Sequence, residues 1–178
     1  MSSFRHYIDK PKHPHKISNF FGLPKSQSST PLVGWRTWGL VSTQEGTPIL
    51  ASVSAGVVWE GPVMTVSVLP NGKLAPIALS NKAEFHSERG DFGVYCYKTL
   101  YNLINHHGIS NGVFGTIEMF GQVIEHELGY RAQKAIIKEL FICRNDLTES
   151  ALSLYQCPVT TVDDAKVKEL LNKESSNG

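Results

Sequence analysis

Gly115, Gly121 and Gly129 all fall inside Val113–Cys143 (VFGTIEMFGQVIEHELGYRAQKAIIKELFIC), a run that joins the chain's clearest apolar alternation to its densest charge. Read as a helix, the run aligns Ile117, Phe120, Ile124 and Leu128; read as a strand, it aligns Val113, Ile117, Met119 and Val123. A glycine inside a helix costs about 1 kcal/mol relative to alanine, so three of them favour strands. Gly121 then marks a bulge or a close approach of backbones, and Leu128-Gly129 turns a hairpin whose second arm runs from Tyr130 toward Ile142. That arm has a second reading, because RAQKAIIKEL also suits a helix with Ala132, Ala135, Ile136 and Leu140 inward.

The rest of the chain divides around this stretch. Residues 1–31 carry Pro11, Pro14, Pro24 and Pro31 and a Ser-rich patch from Ser26 to Thr30, the composition of an arm, while Ile17, Phe20, Phe21 and Leu23 are expected to dock on the domain. A single globular domain is expected over residues 32–173. It opens with the strand LVGWRTWGLVST, a turn at Glu45-Gly46-Thr47-Pro48 and a second strand, ILASV. Two further β-rich runs, Ala55–Glu60 and Met64–Leu69, flank Gly61-Pro62 and close at Pro70-Asn71-Gly72-Lys73.

From Ala75 to Asp91 an exposed connection carries Phe85, His86 and Arg89, and strand character returns from Phe92 to Tyr97. Residues 98–105 read as a short helix with Gly108 past its end. Asp146 is placed to cap a helix over TESALSLYQ that Pro158 ends, and a last amphipathic helix covers Val162–Leu171. Residues 174–178 are expected to fray as a disordered tail. The pattern predicts an α+β fold: a mixed or antiparallel curled sheet or small barrel, with one central helix and two C-terminal helices.

Composition narrows the function classes. Seventeen Lys and Arg against sixteen Asp and Glu leave a net charge of +1, without the basic footprint of general duplex nucleic-acid binding or of a membrane-surface protein. Cys96, Cys143 and Cys157 form no CxxC pair and are too few for a disulfide framework, and no apolar run nears the roughly 20 residues that span a bilayer. A soluble cytoplasmic protein is the expectation.

Four segments follow one another along the chain: Gly34-Trp35-Arg36-Thr37-Trp38, Gly93-Val94-Tyr95, Gly121-Gln122-Val123-Ile124-Glu125-His126-Glu127-Leu128-Gly129-Tyr130-Arg131-Ala132 and Leu154-Tyr155-Gln156-Cys157-Pro158-Val159. Together, over roughly residues 33 to 160, they resemble a family of small uncharacterised bacterial proteins. The chain departs from that pattern at Phe92-Gly93-Val94-Tyr95-Cys96, where the family tends to carry Cys-Gly before Ile-Tyr-Ala. It departs again at Met119-Phe120-Gly121, where the family has Leu-Trp-Gly, and in lacking a Tyr-Pro after Arg131-Ala132. The resemblance supports segment boundaries and implies no activity.

Chemistry-bearing residues each have a functional and a structural reading. Glu125-His126-Glu127 could supply a general base or a metal ligand with a partner to orient it, yet on a strand His126 points away from both carboxylates, so a solvated charge cluster competes with a site. Arg131 either pairs with Glu125 or Glu127 across the hairpin or clamps an anion, and Arg36 between Trp35 and Trp38 is either stacked or an edge charge. Trp35, Trp38, Trp59, Phe85, Tyr95 and Phe120 form an aromatic pocket or, more simply, core. Cys96 could be a nucleophile with His86 or His106-His107 as base, or an inert buried thiol. No zinc spacing, P-loop, GxGxxG, GxSxG or HExxH occurs, so no metal site is expected and the cofactor is unknown.

The leading expectation is a non-enzymatic binding module for a small anionic or aromatic ligand, a nucleotide or modified base, held by Arg36, Tyr95, Glu125, Tyr130 and Arg131. The alternatives are a hydrolase or transferase using Glu125 or His126 with Cys96, and an adaptor for a protein partner.

Overall fold

A computed structural model of the chain describes residues 26–28, 32–53, 58–68, 74–76, 93–109 and 112–176. Its strands are β1 (Ser26–Ser28), β2 (Leu32–Ser42), β3 (Pro48–Ser52), β4 (Val63–Val68), β5 (Leu74–Pro76), β6 (Val94–Tyr97), β7 (Val113–Glu125), β8 (Gly129–Ile142) and β9 (Val159–Thr161). Helix α1 spans Leu100–His106, a 3-10 helix spans Glu149–Tyr155, and α2 spans Asp164–Ser176.

The glycine-bearing stretch is the antiparallel hairpin β7–β8, in register from Val113 opposite Ile142 to Glu125 opposite Tyr130. Its turn closes where the His126 amide donates to the Gly129 carbonyl at 2.8 Å. Gly121 sits at φ +79 in the register shift between Phe120 and Val123, a bulge that its missing Cβ permits. The arm that also suited a helix is a strand throughout. Its two edges are paired along most of their length, by β7 on one side and by β6, β4 and β9 in turn on the other.

β2 lies antiparallel against β7 from Leu32–Met119 to Trp38–Val113, β6 lies against β8, and the pair Trp35–Tyr97 joins β2 to β6. The cycle β2–β7–β8–β6 is therefore a closed four-stranded barrel, with the remaining strands outside it. Because β9 runs parallel to β8, the sheet is mixed, as expected of an α+β chain.

The two faces of this barrel are buried differently. On one side Trp38, Leu50, Trp59, Ile117, Met119, Leu140, Leu152 and Tyr155 form a single apolar cluster. On the other, α1 and α2 bring Leu100, Leu103, Ile104 and Val167 over Tyr95, Tyr97, Phe114 and Phe141. Trp35 stacks on Phe141 there, with ring centroids 6.1 Å apart. Among the described residues, no helix is long and apolar enough to cross a membrane.

Several local expectations are revised. Asp146 does not cap the helix after it; its carboxylate is taken by Arg144 at 2.6 and 2.8 Å, and the N-cap position falls to Thr148 of a 3-10 rather than an α-helix. After Pro158 comes the parallel strand β9, which three residues are too few to announce by alternation. Among the described residues of Ala55–Glu60, pairing is limited to one bridge from Val58 to Ala51. Ser26–Ser28 pair with β7 despite their polar composition, and Leu74–Pro76 pair with β4 where a connection was expected to begin. α2 runs on to Ser176, past the expected start of the tail at Glu174. The segment Ile17–Leu23, the turn at Pro70–Lys73 and the residues Phe85, His86 and Arg89 lie outside the described residues.

Candidate functional site at the fork of β3 and β6

One edge of β2 changes partner partway along. It pairs with β6 at Trp35 and with β3 from Trp38 onward, so residues 36 and 37 span a fork between the two. Arg36 fills that fork. One terminal nitrogen, Nη1, donates to the carbonyl of Tyr95 on β6, and Nη2 donates to Ser52 Oγ on β3 at 2.8 Å. The guanidinium lies over the indole of Trp59, 5.5 Å from its centroid, so the arginine is stacked, and it stands between paired strands rather than on an edge.

The hydrogen-bond accounting at this fork is lopsided. Ser52 Oγ also accepts from Trp59 Nε1 at 3.2 Å, so both its lone pairs are used and its own O–H is left as a donor. Arg36 Nε and Trp38 Nε1 are buried with no acceptor among the described residues. None of the ion pairs among the described residues involves Arg36. Among the described residues donors outnumber acceptors around a cation that no carboxylate neutralises, an arrangement costly in an apolar setting. Burial brings the Arg36 pKa down to about 10, with a small opposing contribution from Cys96, and the group stays a cation at neutral pH.

Strand registers sort the five expected ligand residues into two groups. Cys96 stands opposite Tyr130, and Tyr130 opposite Glu125, so these three share a face of the sheet. Arg36 faces the same way, one step along β2 from the Trp35–Tyr97 pair and close enough to Cys96 for its charge to oppose the thiol's pKa rise. Tyr95 stands opposite Arg131, and Arg131 opposite Ile124, on the other face. Tyr95 reaches Arg36 through its backbone carbonyl, not through its phenol. The five residues thus do not line one pocket; Arg36, Glu125 and Tyr130 lie on one side, and Tyr95 and Arg131, 8% and 1% exposed, on the other.

Glu125 is held by Lys98 at 2.6 Å, and Lys98 also sits over the Tyr130 ring, 5.5 Å from its centroid. Burial raises the Tyr130 phenol's pKa, with Lys98 opposing and Glu125 and Cys96 adding to the rise. Of the two carboxylates expected to face Arg131 across the hairpin, Glu125 and Glu127, Glu125 stands opposite Tyr130 while Arg131 stands opposite Ile124, so Glu125 and Arg131 start from opposite faces. His126 is buried in the turn at 4% exposure.

Cys96 lacks the character of a nucleophile. Burial pushes its thiol up to about 12, and the lowering by Arg36 and by a backbone hydrogen bond with Tyr130 does not offset it. Trp38 and Trp59 meet edge to face at 5.6 Å and are 0% and 1% exposed, so they are core rather than the walls of an aromatic pocket. Among the described residues no group of three or more His, Cys, Asp or Glu is placed to hold a metal ion.

Sequence reasoning missed Ser52 altogether. A serine at a strand end carries no signal until the strand that ends there is known to border an arginine. Compared with protein-family models, with curated proteins and with solved structures, the chain matches none of them.

Proposed function

We propose that the protein is a non-enzymatic binding module for a small anionic ligand, of nucleotide size or smaller, held at the β3–β6 fork by Arg36 and Ser52. The observation that carries this reading is the excess of donors there: a guanidinium with no carboxylate partner among the described residues, and a serine hydroxyl already saturated as an acceptor. An oxyanion would supply both the missing charge and the missing lone pairs. The aromatic part of the expected ligand has weaker support, because the indoles nearest Arg36 are packed in the core.

A thermal-shift screen against inorganic phosphate, simple carboxylates, nucleoside monophosphates and uncharged nucleosides tests the proposal. A ligand at 100 times its dissociation constant stabilises the native state by roughly 2.7 kcal/mol, well within reach of the method. The expected result is a shift with the anions, absent with the uncharged nucleosides and lost in Arg36→Gln, whose far-ultraviolet circular dichroism should match the parent's. A shift that survives in Arg36→Gln would remove the fork as the site.

The adaptor reading keeps one observation of its own. Val33, Glu118, Ile136 and Val63 are cross-strand neighbours in one row over β2, β7, β8 and β4, and the two valines are 53% and 50% exposed. A screen in which no anion stabilises the protein would make this reading the leading one. The catalytic reading ranks below both, since the Cys96 thiol is raised and the Glu125 carboxylate is already paired.

A further inference from the structure

The barrel's seams are unequal. β2 and β7 share registered pairs from Leu32–Met119 to Trp38–Val113, and β6 and β8 from Val94–Ala132 to Tyr97–Gly129, whereas β2 and β6 are joined by the single registered pair Trp35–Tyr97. Beyond that pair the link from β2 to the next β6 carbonyl, that of Tyr95, is made by the Arg36 side chain. The weakest seam of the closed ring is therefore fastened by the same guanidinium that has no carboxylate partner among the described residues.

We infer that the ligand's oxyanion competes with the Tyr95 carbonyl for Arg36, so that binding loosens the β2–β6 seam. The inference rests on the binding reading above and adds the ligand's chemical class and a conformational consequence. Its physical basis is the difference between acceptors: an oxyanion brings an opposite charge and can take the guanidinium's two terminal nitrogens together, whereas the Tyr95 carbonyl is neutral and takes one. Little ladder opposes the exchange, since one registered pair spans the seam. Ser52 stays on β3 with its hydroxyl available to the same oxyanion, so the arginine would keep its β3 contact while its hold on β6 is released. Phosphate and carboxylate share this chemistry and differ in charge and size, which separates them by experiment.

Amide hydrogen exchange on the full chain, read with and without saturating inorganic phosphate and, in a second arm, acetate, tests this. Peptides covering Trp35–Thr37 and Val94–Lys98 should exchange at least about threefold faster with the effective anion bound, while those covering Val113–Phe120 should not change. The anion that produces the effect identifies the class. A third arm uses the double variant Trp35→Cys, Tyr97→Cys, placing cysteines at the one directly opposed pair of the seam. Oxidised, it should lose anion binding by at least about tenfold and recover it on reduction. If an anion binds but seam exchange is unchanged or slower, this inference fails and the binding reading stands. If no anion binds the parent at all, both fail.

Discussion

Glu174, in the last turn of α2, caps the first turn of α1: both of its carboxylate oxygens accept from the Leu100 amide at 2.9 Å, and one also accepts from Tyr101 at 3.4 Å. Two helices far apart in the chain are thereby joined end to end by one side chain, beside the cap that Thr99 supplies to the Asn102 amide at 3.1 Å.

Glu174→Ala should lower stability by about 1 kcal/mol, the usual cost of a lost helix cap, and Glu174→Gln should recover part of it through a neutral acceptor. Urea denaturation of the three proteins measures this. Identical midpoints would show that the contact contributes nothing.

Gly115→Ala should be among the most damaging single changes in the barrel. An added Cβ would stand 2.0 Å from the Glu139 carbonyl oxygen, a backbone atom fixed in the β7–β8 ladder, so relief requires parting the hairpin. A loss of about 3 kcal/mol or more is expected. Gly61→Ala, where none of the described residues lies within 4 Å of the added carbon, is the control, expected to change stability by less than about 0.5 kcal/mol. Equal effects at the two positions would contradict the packing.

Tyr155→Phe removes one atom and leaves two buried groups without partners. The hydroxyl accepts from the Leu50 amide at 2.6 Å and donates to the Trp59 carbonyl at 2.8 Å, tying the 3-10 helix to β3 and to the strip that carries Trp59. The expected loss is about 1–3 kcal/mol. Trp59 fluorescence, followed through denaturation, should report early loosening if the tie matters as described.

Stability should fall as the pH drops from neutral, in part through His107. Burial, with the nearby charges of Arg36 and His106 adding, holds its imidazole near 4 against an ordinary 6.5. The unfolded chain therefore takes up the proton through 6.5 while the folded chain does so only near 4, and between these values the unfolded state binds more protons. The contribution lost across that window is at most about 3 kcal/mol. His107→Gln also removes the ring that meets Tyr97 edge to face at 5.6 Å, a cost independent of pH. Urea midpoints at several pH values from 7 to 4 should converge for parent and variant as the pH falls; a constant gap would refute the assignment.

The local signals in the sequence were those that act over a few residues. Glycine's cost in a helix and its freedom at positive φ made the β7–β8 hairpin and the Gly121 bulge legible, and the turn residues between Ser42 and Pro48 did the same for β2–β3. Gly108, at φ +69 just past α1, likewise marks the end of that helix, whereas its start lies two residues later than expected, with Thr99 as the N-cap. Closure of the barrel through Trp35–Tyr97, the parallel docking of β9 and the reach of Glu174 to Leu100 all join residues distant in the chain, and pairing at such range leaves no mark on local periodicity. The site followed the same division. Arg36 stood out as an arginine between tryptophans. That it fills a fork with Ser52, and that Tyr95 and Arg131 turn away from it, depends on register, because a shift of one residue in a strand exchanges the faces to which every side chain points.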